Sequence, residues 1–344
     1  MDHMSNELSL RVLRHLVSGE GVAVNINSLS KALDMHRATA GKRVQWLFDN
    51  HILDPPTCSF PQVFKEFPLF VLAWADIPRT EQALEFFKDE TNIFAAFSCM
   101  EGPYNTLLME FFKDMDSYQN WRERIVTEQK LPSRDKRAPA EVQMFSNNLA
   151  FKYNPTCFLR DMQVEFRMRG KVELGGHVMD QSTFPIFQAL MKGEHIRVRS
   201  TFMAKELDQD SRKISRRVQM LRDDGFISGP RCYFPNLLVP PGHNMIVSLL
   251  EVKEQKELVK RAIMMDNHVP RALRISSRRY NMLVLSAFAK VEEFFEWGEA
   301  LKDRFGDDIG GIQNTILSSK MVHTIKTQKV SLGIIERRLR KISK

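Results

Sequence analysis

The feature that most constrains this chain is an internal repeat. Residues 31–61 align without a gap on residues 205–235, at a constant offset of 174, and twelve of the 31 positions are identical. Ordinary residue frequencies would give about two identities by chance. The matches run from Leu33/Leu207 and Asp34/Asp208 through Arg43/Arg217, Val44/Val218, Gln45/Gln219 and Leu47/Leu221. They continue at Pro56/Pro230, Cys58/Cys232, Phe60/Phe234 and Pro61/Pro235. Downstream the offset becomes 176, where Tyr104-Asn105 falls on Tyr280-Asn281 and Trp121 on Trp297. Such a period means two copies of one composite unit.

Each copy begins as a small helical unit. Leu10, Leu13 and Leu16 recur at helical spacing until Gly19 and Gly21, and Phe184, Phe187 and Leu190 do the same until Gly193. A short second helix near Leu29–Leu33 and a tight connection lead to a third helix, Arg37 to Asn50 in the first copy. In the second copy Asp210 stands where a helix N-cap belongs, ahead of Ser211-Arg-Lys-Ile-Ser-Arg-Arg-Val218. The Pro-bearing turn Asp54–Phe60 suits a wing. Each copy then continues with alternating strand and helix patterns in the order βαββαβ. The expected fold class is α+β, with two winged helix-turn-helix domains each followed by a ferredoxin-like βαββαβ domain. The expected boundaries are 1–62 and 63–155 for the first copy, 183–236 and 237–344 for the second. Residues 156–182 read as a connector with strands of its own at Val164–Phe166 and Lys171–Leu174.

Two helices joined by a tight turn, the second basic near its N-terminus, form the arrangement that enters a DNA major groove. Arg can bind guanine edges bidentately, while Lys, Ser and Thr mostly hold phosphates. The candidate DNA-binding residues are therefore His36, Arg37, Thr39, Lys42 and Arg43, together with Ser211, Arg212, Lys213, Ser215, Arg216 and Arg217. The second set is the more basic, so one chain is expected to read two unequal half-sites. A net charge of +8 agrees with a polyanionic partner. The four cysteines, Cys58, Cys99, Cys157 and Cys232, lack zinc spacing and read as structural thiols, so no metal or cofactor is expected. No run of about 18 apolar residues and no secretion signal is present, so a cytoplasmic protein with no membrane partner is expected.

The helix-three patterns Arg43-Val-Gln-Trp-Leu47 and Arg216-Arg-Val-Gln-Met-Leu221, with the strand entry Gly102-Pro-Tyr104-Asn105, resemble the Lrp/AsnC family of transcription regulators. That resemblance implies a DNA-binding regulator whose two fused copies supply both halves of a normally symmetric pair. It also implies an effector pocket, commonly for an amino acid, and further self-association through the α/β domains. Family members usually carry Asp after the Tyr, where this chain has Asn105 and Asn281, and Gly102 becomes Arg278 in the second copy.

Two other readings stand beside it. Siroheme decarboxylases share this architecture, but their His-bearing segment is here Ser98-Cys99-Met100, and His243, His268 and His323 read as scattered. The expectation is accordingly that the chain is not an enzyme. The third reading is a protein-docking scaffold, against which the Lys/Arg content of helix three argues.

Overall fold

The computed structural model describes residues 3–100, 104–127, 140–145, 150–154, 156–235, 239–275, 279–323 and 328–344. The first copy opens with α1 (Glu7–Ser18), β1 (Val22–Val24), α2 (Ile26–Ala32) and α3 (Arg37–Asp49). It continues with α4 (Val63–Glu66), β2 (Leu69–Ala75), α5 (Glu81–Asp89), β3 (Ile93–Cys99), β4 (Thr106–Phe112) and α6 (Met115–Thr127). Then come β5 (Ala140–Phe145), β6 (Ala150–Tyr153), α7 (Leu159–Arg169), β7 (Val172–Leu174) and β8 (His177–Met179). The second copy supplies α8 (Phe184–Lys192), β9 (Ile196–Val198), α9 (Ser200–Glu206), α10 (Ser211–Asp223), β10 (Asn244–Val252) and α11 (Lys256–Met265). The chain ends with β11 (Arg271–Arg274), β12 (Met282–Phe288), α12 (Val291–Phe305), β13 (Ile309–His323) and α13 (Lys329–Ile342).

The elements form two compact units. Unit 1 gathers Met1–Lys65, Glu165–Pro235 and Gln328–Lys344, and unit 2 gathers Glu66–Val164 and Asn236–Thr327. No helix among the described residues is long and apolar enough to cross a membrane.

In unit 1 the duplicated residues pair with one another. β1 runs antiparallel to β9 with Ala23 opposite Arg197, and Thr57 bridges Arg231. Both pairs are separated by the repeat offset, which is what a local two-fold axis requires. The packing obeys the same axis, since α3 lies against α8 while α1 lies against α10. Gly19 and Gly193 end their helices with φ of +85° and +84°, a conformation cheap only for glycine. A Cβ on Gly193 would stand 2.7 Å from the Pro230 carbonyl oxygen, so the position also permits a close backbone crossing. Leu10, Leu13, Leu16, Phe184, Phe187 and Leu190 are all buried here, each worth roughly 1.5–3 kcal/mol of burial.

Three expectations are corrected in this region. Asp54–Phe60 is not a free wing. Its backbone bonds across to the other copy, from Asp54 N to Tyr233 O (2.8 Å), Thr57 N to Arg231 O (3.1 Å) and back from Arg231 N to Thr57 O (3.1 Å). The exposed edge of each copy satisfies its polar groups on its equivalent. Val164–Phe166 is helical within α7, whose apolar residues Leu159, Met162 and Phe166 recur at helical spacing; of the two expected strands only the second forms, as Val172–Leu174, paired with β8 in the same connector. Residues 328–344, expected with the second α/β domain, belong to unit 1, where α13 packs Val330, Ile334 and Ile335 inward and lies against α1.

Unit 2 is a nine-stranded antiparallel sheet in the order β5-β2-β4-β3-β13-β10-β12-β11-β6. Two four-stranded halves with the same internal order meet where β13 runs on to pair with β3. α5 and α6 cover one face of the first half, burying Phe87, Tyr118 and Ile125 with Val71, Leu108 and Phe112. Phe70, Phe94 and Phe111 pack together on its other face, with centroids 5.0–6.3 Å apart, and the buried Arg271 guanidinium of the second half lies 5.4 Å from the Phe70 centroid. Burial on both faces explains why β2 reads as the unbroken apolar run Leu69–Ala75 rather than as an alternation. The architecture is thus mixed α and β, dominated by one large antiparallel sheet.

Asn105 and Asn281 hold equivalent places in the two halves. The Asn105 side chain accepts from Ile77 N (2.9 Å) and donates to Ile77 O (2.9 Å). Asn281 accepts from Val252 N (3.1 Å) and donates to Val252 O (2.7 Å). Each amide thus closes the end of the first strand of its half. Gly102 and Arg278, singled out in the sequence, lie outside the described residues.

Candidate nucleic-acid interface

α10 carries the stronger of the two candidate faces. Ile214, Val218 and Leu221 recur at helical spacing and are buried, which turns Arg212, Lys213, Ser215 and Arg216 to solvent and leaves Ser211 and Arg217 half-buried. The helix starts where Asp210 Oδ1 accepts from Arg212 N (2.9 Å) and Lys213 N (3.1 Å). Asp210, Arg212, Lys213, Arg216, Arg217 and Met220 line one surface concavity of about 500 Å³. None of these four cations forms an ion pair among the described residues; the Lys213 ammonium donates to Gln209 Oε1 (2.7 Å). Four uncompensated positive charges on one helical turn and a half concentrate positive potential at that surface.

Removing the Asp210 side chain separates stability from charge. Asp210→Ala deletes two capping bonds, and the expected cost is about 1 kcal/mol, read as a lower thermal midpoint. The same change removes the only carboxylate among the described residues that line the concavity, so affinity for a polyanion is expected to hold or rise.

The first copy presents a thinner face. His36 caps α3 through Nδ1, which accepts from Ala38 N (3.3 Å). Arg37, Thr39 and Lys42 are exposed, but Arg43 is half-buried and donates to Asp180 Oδ2 at 2.8 Å. Its equivalent Arg217 has no such partner among the described residues. The candidate residues of each copy therefore gather on one helical face, and the two faces differ in net charge.

A second basic concavity is not evident from the helix-three pattern. Arg197, Arg199, Ser200, Thr201 and Phe202 surround a volume of about 550 Å³ at the junction of β9 and α9. Its signal in the sequence is the alternation Arg197-Val-Arg199, whose equivalents in the first copy are the uncharged Ala23 and Asn25.

Unit 2 holds the other grouping of ionisable side chains. His243 and His268, expected to be scattered, both feel the Glu293 carboxylate, and the His268 imidazole acts on His243. His268 Nδ1 lies 3.1 Å from Asp266 Oδ1, its ring stacks on Phe288 at 4.8 Å, and Trp297 Nε1 donates to Asp266 Oδ2 at 2.5 Å. The hydrogen bond to Asp266 raises the His268 pKa above its ordinary value, whereas burial lowers that of His243. Burial acts to raise the Asp266 carboxyl, but the bonds from His268 and Trp297 outweigh it and hold it low. A raised imidazole pKa stabilises the fold below the unfolded value of about 6.5, and that stabilisation is lost as pH rises through the folded value. The destabilisation caused by His268→Gln is therefore expected to be larger at about pH 6 than at about pH 8, measured as the difference in thermal midpoint from the wild type.

No group of three or more His, Cys, Asp or Glu side chains among the described residues could hold a metal ion. The four thiols are unpaired, and burial pushes Cys58 and Cys157 up to about 12 and Cys99 to about 11, so all three are protonated near neutrality.

No protein-family model matches the chain, and no curated protein matches it either. Among solved structures, the siroheme decarboxylase NirDL in complex with an iron-uroporphyrin III analogue is similar at 12% identity and a TM-score of 0.53. That match covers 98% of this chain and 100% of the other. NirDL without the analogue is similar at 11% identity, with the same TM-score and coverage. A transcriptional regulator from Neisseria meningitidis in complex with L-Met is similar at 14% identity and a TM-score of 0.30, over 43% of this chain and 92% of that one. The whole-chain fold is thus shared with NirDL. The expectation that this chain is not an enzyme is overturned here: the fold matched over the full length is that of an enzyme.

Proposed function

We propose that the chain binds double-stranded DNA through unit 1, as a transcription regulator whose two fused copies act as an internal pair. The same proposal assigns helix-turn-helix units to 1–62 and 183–236, with α13 packed beside them, and ferredoxin-like domains to 63–155 and 237–327. The observation that carries it is the set Arg212, Lys213, Arg216 and Arg217, projected from one well-capped helix and left without carboxylate partners among the described residues. A capped helix with free guanidinium groups near its N-terminus suits both base edges and phosphates in a major groove. Because the seam formed by Asp54–Phe60 consumes the backbone that a wing would use, the helices are the parts available to meet DNA. Electrophoretic shift of a mixed-sequence duplex by the intact chain tests the reading; no shift at low salt overturns it.

A second reading, catalysis in unit 2, is favoured by the full-length likeness to NirDL and by the grouping of His243, His268, Asp266 and Glu293. An imidazole pair with pKa values displaced in opposite directions is a pattern used for proton transfer. Incubation with siroheme under reducing, anaerobic conditions, followed by mass spectrometry of the tetrapyrrole, separates this reading from the first: loss of carboxyl groups supports it and unchanged siroheme rejects it.

A further inference from the structure

We propose that Asp180 widens the inequality between the two DNA faces, by occupying Arg43 of α3 in place of a DNA phosphate. The inference rests on the DNA-binding reading of unit 1.

The two-fold relation makes the comparison internal to the molecule. Residues 3–9 of the first copy correspond to residues 177–183 of the second at the repeat offset, so Asn6 corresponds to Asp180 and Ser9 to Thr183. Both side chains do the same local work through Oδ1, since Asn6 accepts from Ser9 N at 2.9 Å and Asp180 accepts from Thr183 N at 2.9 Å. Both segments are also anchored beside a third helix by an equivalent histidine. His177 meets Trp46 of α3 edge-on at 5.8 Å, and His3 meets Phe226, just beyond α10, at 4.6 Å while bonding Asp224.

The difference lies in the second oxygen. Asp180 Oδ2 accepts from Arg43 Nη2 at 2.8 Å, whereas the equivalent position in the first copy is the neutral Asn6, and Arg217 has no ion-pair partner among the described residues. The ion pair is partly exposed and holds Arg43 only weakly, because such pairs contribute about 0–1 kcal/mol. Its larger effect is electrostatic. A carboxylate already fills the place that a phosphate would take, and a phosphate approaching α3 meets a negative charge rather than a free guanidinium. The first copy therefore grips DNA with fewer counterions released, and the second copy dominates.

Asp180→Asn is a clean test, because it keeps the Oδ1 acceptor and recreates the arrangement that Asn6 already shows to be compatible with the turn. The probe is a mixed-sequence 30-bp duplex, about the span of two half-sites roughly one helical turn apart with flanks, titrated with the full chain by fluorescence anisotropy across a salt series. Asp180→Asn is expected to bind the duplex severalfold more tightly than wild type, and its slope of log affinity on log salt to steepen by about 0.9, the signature of one more phosphate neutralised. The double variant Asp180→Asn with Arg43→Ala is expected to lose that gain. A wild type that binds while Asp180→Asn binds with the same affinity and slope overturns the inference and leaves the DNA-binding reading standing. A gain that persists in the double variant also overturns it, since Arg43 would then be uninvolved. A wild type that does not bind the duplex overturns the DNA-binding reading itself.

Discussion

Replacement of both Arg216 and Arg217 by alanine is expected to weaken duplex binding by about thirtyfold or more, at roughly 1–3 kcal/mol for each arginine that bonds a base edge. Arg216 is exposed and Arg217 half-buried on α10, and both line the concavity of about 500 Å³. Their removal leaves the inner face of the helix, Ile214, Val218 and Leu221, untouched. Stability should therefore change by no more than about 0.5 kcal/mol, the usual range for surface substitutions. The paired replacement of Lys42 and Arg43 in α3 is expected to cost much less, because Asp180 already neutralises Arg43. Anisotropy titrations of the two double variants, run beside thermal unfolding, check both statements. Equal weakening from the two helices would contradict the asymmetry, and undiminished binding after the α10 replacement would contradict the assignment of the face.

Asn281→Asp is expected to destabilise the protein by about 1–3 kcal/mol at pH 7, a shift of several degrees in thermal midpoint. The Asn281 amide donates to Val252 O at 2.7 Å and accepts from Val252 N at 3.1 Å, so it needs one donor and one acceptor together. An ionised carboxylate supplies only acceptors and would set a negative charge against the Val252 carbonyl. The introduced acid has its neutral form favoured in the folded state, which raises its folded pKa above the unfolded value of about 3.9. Its stabilising form is then complete below that value and lost as pH rises through the folded pKa, so the variant should regain part of its deficit as pH falls toward about 4. Thermal unfolding across that range reads the effect, and a variant as stable as the wild type at pH 7 would show that the clamp contributes little. Asn105 makes the same pair of bonds to Ile77 and needs a donor and an acceptor for the same reason.

Much of this architecture is legible in the sequence, because duplication leaves a mark that local periodicity alone does not. The offset of 174 locates α3 and α10, and the capping role of Asp210 follows from its place before a basic run. The features that escape are those made between copies. Asp54–Phe60 carries the proline and turn residues of a wing, yet its partner is the equivalent segment 174 residues away, and nothing local in the sequence announces that pairing. Asp180 reads as one acid in a charged connector until the fold sets it against Arg43. His243 and His268 are separated by 25 positions, and nothing in the sequence signals that both come under the influence of Glu293. α13, whose Val330, Ile334 and Ile335 give an ordinary amphipathic stripe, carries no sign of the unit it joins.

Unit 1 is proposed to grip duplex DNA by phosphate neutralisation, with α10 as its stronger side. The most direct measurement is the affinity of the intact chain for a duplex as a function of salt, for wild type and for the Arg216→Ala, Arg217→Ala double variant. A steep linear fall of log affinity with log salt is predicted for wild type, with a slope shallower by about 1–2 in the double variant, at about 0.9 per phosphate left unneutralised. An affinity independent of salt, or a slope that the double variant leaves unchanged, would contradict the account.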